Sequence, residues 1–215
     1  YGFSDVKYQP FQVEAWSRDT VTLAIAPRKS DNFRDVEVVS LAMTPVEAKV
    51  TSEIVDVGNG LEGDFQAVKD KLSGKIALVN IGLLAPIKGP RNLHRSEKTA
   101  LAMQYGAVGV IFVNTVKGNV LLTGTASVTG SLIEIPAVCV SLESGMELRA
   151  WLSQEPNLVA MIDMKNFSRM IKARNVIATL KGSSKRHQDE KIVIGGHLDS
   201  WDLAHGALDN GIGSF

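Results

Sequence analysis

Three short runs in the middle of the chain, Gly74-Lys75-Ile76-Ala77-Leu78-Val79, Val108-Gly109-Val110-Ile111-Phe112-Val113 and Ile135-Pro136-Ala137-Val138-Cys139-Val140, are apolar and rich in β-formers. Runs of this length read as buried strands, and the segments between them decide what covers the sheet. Asp64 to Leu72 spaces Phe65, Val68 and Leu72 at helical intervals, and Ser96 to Tyr105 reads as a second helix stopped at Gly106. A third helix is expected over about Leu142 to Leu152, with Val159 to Met164 closing the block as a strand. Strand and helix therefore alternate, which is the pattern of an α/β fold.

The flanks have a different character. Val6 to Val13 and Thr20 to Ala26 alternate polar with apolar residues and read as two strands, the first at an edge because of Pro10. Further β-rich runs occupy Val36 to Val57, broken at Thr44-Pro45 and closed by Gly58-Asn59-Gly60. Leu83 to Leu93, with Pro86, Gly89 and Pro90, is expected to be a loop, and 115–134 a longer loop or hairpin. Towards the end, Asn175 to Leu180 reads as a strand, Gly182 to Glu190 as a charged turn, and Ile192 to Gly196 as a strand buried on both faces. The composition shifts divide the chain into 1–29, 30–168 and 169–215, the middle block forming its own sheet and the flanks a second layer.

Composition removes several function classes. Of 215 residues 45% are hydrophobic and 21% charged, enough for a substantial core. Lys+Arg and Asp+Glu balance at 23 each without long runs of one sign, which disfavours nucleic acid or a membrane surface as partner. No apolar stretch approaches the ~20 residues of a bilayer span. Cys139 is the only cysteine and lies in an apolar run, so it reads as a packing residue, with no intramolecular disulfide to form. Met161, Met164 and Met170 read as packing residues too, and Asn166-Phe167-Ser168 is a glycosylation sequon. The opening Tyr-Gly-Phe suggests an internal fragment.

Gly58-Asn59-Gly60-Leu61-Glu62-Gly63 matches the dinucleotide fingerprint in outline. No acidic residue follows Val79 to hold a ribose, and Glu62 and Asp64 would oppose a pyrophosphate, so a glycine turn is the better reading. The chemistry sits at the other end. His197 and Asp199 follow the expected last strand and are two apart, so in extended chain they point the same way; one ring nitrogen can take a metal while the carboxylate orients the other. Asp209 adds a hard ligand on a glycine-rich loop. Taken singly, the pair is a polar rim at a strand end and Asp209-Asn210-Gly211 a turn. His205 is expected to be exposed near the mouth of the site, while His94 and His187 lie in polar loops with no metal role.

The whole string changes that balance. Ile194-Gly195-Gly196-His197-Leu198-Asp199-Ser200-Trp201-Asp202 followed by Gly206-Ala207-Leu208-Asp209-Asn210-Gly211-Ile212-Gly213 resembles the start of the catalytic domain in M28-type di-zinc exopeptidases, most nearly the plasma glutamate carboxypeptidase (carboxypeptidase Q) group. The middle block resembles a protease-associated (PA) domain, whose usual order the strings Gly74 to Val79, Gly106 to Ile111 and Ile135 to Val138 follow.

The resemblance implies a PA-type mixed β-sheet domain with flanking helices at 30–168, inserted into the start of a zinc-exopeptidase α/β domain, whose first strands are 1–29 and whose catalytic part begins at 169–215. It implies two Zn2+ ions, His197 as terminal ligand of one, Asp209 as the carboxylate bridging both, and Asp199 as the catalytic acid that orients the histidine. It implies too that the peptide bond after Asp209 is cis, with the glycines at 206, 211 and 213 tolerating the loop. In the family a glutamate base and the remaining ligands lie downstream, beyond Phe215, so the chain alone is expected to be inactive and to hold metal weakly. Peptide substrates, an extracytoplasmic location and a homodimer follow from resemblance only. Two other readings stay open: a PA-type interaction module without activity, and another co-catalytic zinc amidohydrolase or aminopeptidase.

Overall fold

The strand and helix order follows from where apolar side chains recur. A computed structural model describes residues 2–84 and 89–214. It contains β1 (Ser4–Pro27), β2 (Arg34–Val36), β3 (Val39–Ser40), β4 (Glu47–Gly58), α1 (Glu62–Leu72), β5 (Ile76–Asn80), α2 (Arg95–Gln104), β6 (Gly109–Val113), β7 (Ala137–Val140), α3 (Leu142–Gln154) and β8 (Leu158–Thr179). The strand order is β2-β1-β8-β4-β5-β6-β7-β3. β4, β5, β6 and β7 run parallel, while β3 pairs antiparallel with β7, β8 with β4 and β2 with β1. The part of the expected loop around Pro86 lies outside the described residues.

The three apolar runs become β5, β6 and β7, every residue buried. Side chains alternate across a sheet, so a run apolar throughout must face apolar partners on both sides. On one face Ile76, Leu78, Ile111, Val113, Val138 and Val140 pack with Leu148 of α3. On the other, Ala77, Val79, Val110, Phe112 and Cys139 pack with Phe65 and Leu72 of α1 and Ala102 of α2. Burial pushes the Cys139 thiol up to about 11, so it is a packing residue as expected. The helices start on local caps: Ser141 Oγ accepts from Ser144 N at 3.0 Å, and Glu97 accepts from the His94 backbone N–H at 2.7 Å. His94 thus caps α2.

The fingerprint-like segment is a tight turn. Gly58 and Gly60 both have left-handed φ, and a Cβ at Gly60 would run into Val79. Asn59 fills the turn itself, its Oδ1 accepting from Asn80 Nδ2 and from the backbone N–H of Leu84. Among the described residues no helix is long and apolar enough to cross a membrane.

Residues divide into two units, Trp16–Ser168 and Tyr1–Ala15 with Arg169–Phe215. Leu23, Ala24 and Ile25 of β1 pair with β2 and are buried. Two pairs of expected strands are single long ones: Val6 to Val13 and Thr20 to Ala26 are both in β1, Val159 to Met164 and Asn175 to Thr179 both in β8. β1 and β5 belong to one strand order. A strand can run on wherever its backbone finds a partner, and side-chain pattern alone does not end it. Pro10 stands in the part of β1 that β2 does not reach, where a missing N–H costs no ladder bond on that side.

One strand is not formed. Ile192, Val193 and Ile194 are about 90% exposed and belong to no strand among the described residues. Their β-branched side chains favour extended backbone, but a buried parallel strand exists only with neighbours on both edges and cover on both faces. Met170 is likewise exposed rather than packed, and the sequon asparagine, Asn166, is buried with its Nδ2 donating to Pro45 O at 2.7 Å.

Lys98 was invisible to pattern reading. It is fully buried, its Nζ donating to Asn80 O at 2.7 Å, Ile81 O at 2.9 Å and Asn92 Oδ1 at 2.9 Å, which ties the loop after β5 to α2. Burial pulls its pKa down to about 8, against a smaller upward pull from Asp64. Lys98→Met leaves three acceptors without their donor, and a loss of about 2–4 kcal/mol is expected in urea unfolding. Because the folded pKa lies below the unfolded value of ~10.4, the unfolded chain holds more protons between pH ~8 and ~10. The gap between wild type and Lys98→Met therefore widens as pH rises through that window; a constant gap would contradict the assignment.

Candidate metal centre

The segment Gly196 to Ser214 is folded around one imidazole, with the chain reversing at Gly206, whose φ is 68°. A one-turn coil over Ala207–Gly211 follows, closed by Gly211 N–H donating to Gly206 O at 2.8 Å, and Asp209 and Asn210 depart from helical torsions inside it. The Asp209–Asn210 peptide bond is cis. Of the three glycines expected to supply unusual torsions, only Gly206 has positive φ; Gly211 and Gly213 are required instead by close approach of Gly206 and Asn210.

The loop places the expected residues together. His197 Nδ1 meets Asp199 Oδ1 at 3.0 Å and the Asp199 carbonyl at 2.9 Å, while Nε2 faces Asp209 Oδ1 at 3.2 Å. Burial pulls the imidazole pKa down, but the hydrogen bonds and charge of Asp199, with the charge of Asp209, outweigh it and raise the ring above its ordinary value. The two ring nitrogens thus have different tasks. Asp199 holds Nδ1 and leaves Nε2 directed at the Asp209 carboxylate.

Several supporting side chains were not singled out by sequence reasoning. Trp201 Nε1 donates to Asp209 Oδ2, so the two carboxylate oxygens are aimed at different neighbours. Asn210 Nδ2 and Ser214 Oγ both donate to the His197 carbonyl, at 2.9 and 2.6 Å, fixing the backbone that carries the ring. Trp201 and Asn210 lie within the string that carries the resemblance and Ser214 just after it, but a side-chain bond to a backbone carbonyl 13 or 17 residues away has no periodicity to reveal it. His205 is exposed, as expected, and His187 pairs with Glu190 at 2.7 Å away from the site residues in sequence.

The donor set suits zinc. An imidazole nitrogen and a hard carboxylate oxygen each bind it at ~2.0–2.2 Å, and two donors on one tetrahedral ion then stand ~3.3–3.6 Å apart. The 3.2 Å between Nε2 and Oδ1 is close to that spacing. Among the described residues no cluster of three or more His, Cys, Asp or Glu forms that could hold a metal.

Comparison with known proteins bears on the same segment. Residues 46–148 match the PA domain profile and residues 175–215 match Peptidase family M28. The chain is 28% identical over 213 residues to Leucine aminopeptidase 2 of Arthroderma otae, covering 99% of this chain and 38% of that protein. It is 23% identical over 221 residues to Carboxypeptidase Q of Bos taurus, covering 100% and 44%. Among solved structures, the aminopeptidase from Aneurinibacillus sp. strain AM-1 superposes with a TM-score of 0.71 at 29% identity, over 99% of this chain and 47% of that one. A zinc aminopeptidase from Bacillus subtilis gives 0.60 at 26%, over 98% and 45%. The chain thus spans less than half the length of these relatives. Residues 46–148 thus carry the likeness to the PA domain and residues 175–215 the likeness to peptidase family M28.

Proposed function

We propose that this chain contributes one side of a two-zinc centre to an exopeptidase that hydrolyses short peptides with metal-activated water. The observation that carries the reading is the His197 ring, held at Nδ1 by Asp199 and aimed through Nε2 at Asp209 Oδ1 at 3.2 Å. When bound, zinc would supply the Lewis acidity that polarises a scissile carbonyl and would lower the pKa of water towards ~7. His197 offers Nε2 as a terminal donor, and Asp209 offers two oxygens already turned in different directions, as a bridging carboxylate requires. Asp199 is a positioning residue that fixes the ring and its tautomer. Residues 1–29 and 169–215 belong in this reading to the peptidase domain and 30–168 to the inserted PA domain; the grouping of Tyr1–Ala15 with Arg169–Phe215 supports it for those residues, while 16–29 group with the middle block. Aminopeptidase relatives among the solved structures favour action from the amino terminus, and the resemblance supports an extracytoplasmic setting.

The raised imidazole pKa makes a proton the competitor of the metal. In a calorimetric zinc titration of the 215-residue chain, weak binding is expected, falling ~10-fold per pH unit below that pKa as the ring must shed one proton. His197→Ala and Asp209→Ala should each abolish the heat. Zinc uptake unchanged by both substitutions would refute the assignment.

A further inference from the structure

We propose that the groove between β2 and α3, in the Trp16–Ser168 unit, is a docking site for an extended polypeptide segment bearing a lysine or arginine side chain. The proposal is independent of the metal centre. One wall is a single stripe of α3, Ser144, Glu147, Leu148 and Trp151, spaced at i, i+3, i+4 and i+7. The other is Arg34, Asp35, Val36 and Glu37, strand β2 and the residue after it. Between them lies a cavity of about 150 Å³, large enough for one long side chain. A second cavity, lined by Pro27, Ser30 and Asn32, shares Arg34 and Trp151 with the first, so the depression continues past the indole towards the β1–β2 turn. An elongated groove suits a strand-like ligand better than a small rounded one.

The sheet edge points the same way. β2 stands at the end of the strand order and pairs with β1 on one side only, leaving its outer edge without a strand neighbour among the described residues. An extended peptide can add to such an edge through main-chain hydrogen bonds while alternate side chains enter adjoining pockets.

Charge decides which side chain. The lining holds three carboxylates, Asp35, Glu37 and Glu147, against one guanidinium, with the Trp151 indole on the α3 wall. Carboxylates around an aromatic face form a receptor for a cation. Arg34 already illustrates the chemistry, pairing with Glu147 at 3.0 Å across the mouth with both side chains about two-thirds exposed. A pair so exposed contributes only ~0–1 kcal/mol, so an incoming cation can replace Arg34 at Glu147 at little cost.

The test is a titration of the full chain, followed by backbone amide shifts, with short end-blocked peptides alternating valine with lysine or valine with glutamate. The lysine peptide is expected to shift Arg34 to Glu37 and Ser144 to Trp151 and to bind at least ~5-fold tighter than the glutamate peptide. Asp35→Asn combined with Glu37→Gln, both at exposed positions, should remove most of that preference without unfolding the chain. Trp151→Phe should weaken the lysine peptide while keeping the helix packed. Equal binding of the two peptides, shifts confined to other surfaces, no binding by either, or groove shifts that depend on protein concentration alone and so report a second copy, would each overturn the proposal.

Discussion

Asp209→Ala is expected, on the two-zinc exopeptidase reading proposed above, to lower kcat/KM on a short peptide by ~10³-fold or more. If Asp209 bridges two zinc ions as proposed, its loss forfeits several kcal/mol of transition-state stabilisation, and about 4 kcal/mol corresponds to ~10³-fold. His197→Ala should fall in the same range, while Asp199→Asn, which disturbs only the orientation of the ring, should cost ~10–100-fold. The three substitutions test chemistry rather than folding, because the side chains of His197, Asp199 and Asp209 are each at least half exposed. Thermal unfolding midpoints should therefore move little. Retention of activity within tenfold by Asp209→Ala, with zinc content unchanged, would show that the carboxylate does not bridge the centre.

Phe112→Ala is expected to reduce stability by about 3–5 kcal/mol, measured as a lower urea midpoint at unchanged slope. The ring is fully buried on the sheet face that α1 and α2 cover, beside Phe65, Leu72 and Val79. Truncation removes its transfer energy and leaves a cavity that rigid strands on either side cannot close. Against the 5–15 kcal/mol typical of a folded domain, that is a large fraction. Met170→Ala, at a position 61% exposed, should stay within ~0.5 kcal/mol and serves as the contrast. A Phe112→Ala loss below 1 kcal/mol would mean that the sheet and helices repack freely, contrary to the close alternation of Ala77, Val79, Val110 and Cys139 around it.

Much of the middle block was legible because its signals are local. Continuous apolar runs mark β5 to β7, helical spacing marks α1, and the caps at Asp64, Glu97 and Ser141 act within one turn. Features depending on distant partners were not legible. Lys98 lies among exposed-type residues in sequence, yet three oxygens from other segments make its burial tolerable. Asn166 opens a glycosylation sequon, yet its side chain is buried and donates to Pro45 O. Ile192 to Ile194 carry a strand pattern whose pairing no described segment supplies.

The candidate centre divides the same way. The residue types and spacing of His197, Asp199 and Asp209 are properties of the string, and so is the match of Asp199 to Nδ1, since two residues of extended chain bring them together. The approach of Asp209 to Nε2 is a product of the fold: Gly206 turns the chain back, Gly213 lets Asn210 come close, and Asn210 and Ser214 grip the His197 carbonyl. Sequence by itself determined the alternation of buried strands and helices and the donor atoms on offer, because periodicity and side-chain chemistry are carried by neighbouring residues. Only the tertiary structure decided how far β1 and β8 extend, which polar groups are buried, and which oxygen faces which nitrogen, because each of those depends on partners that sequence separation conceals.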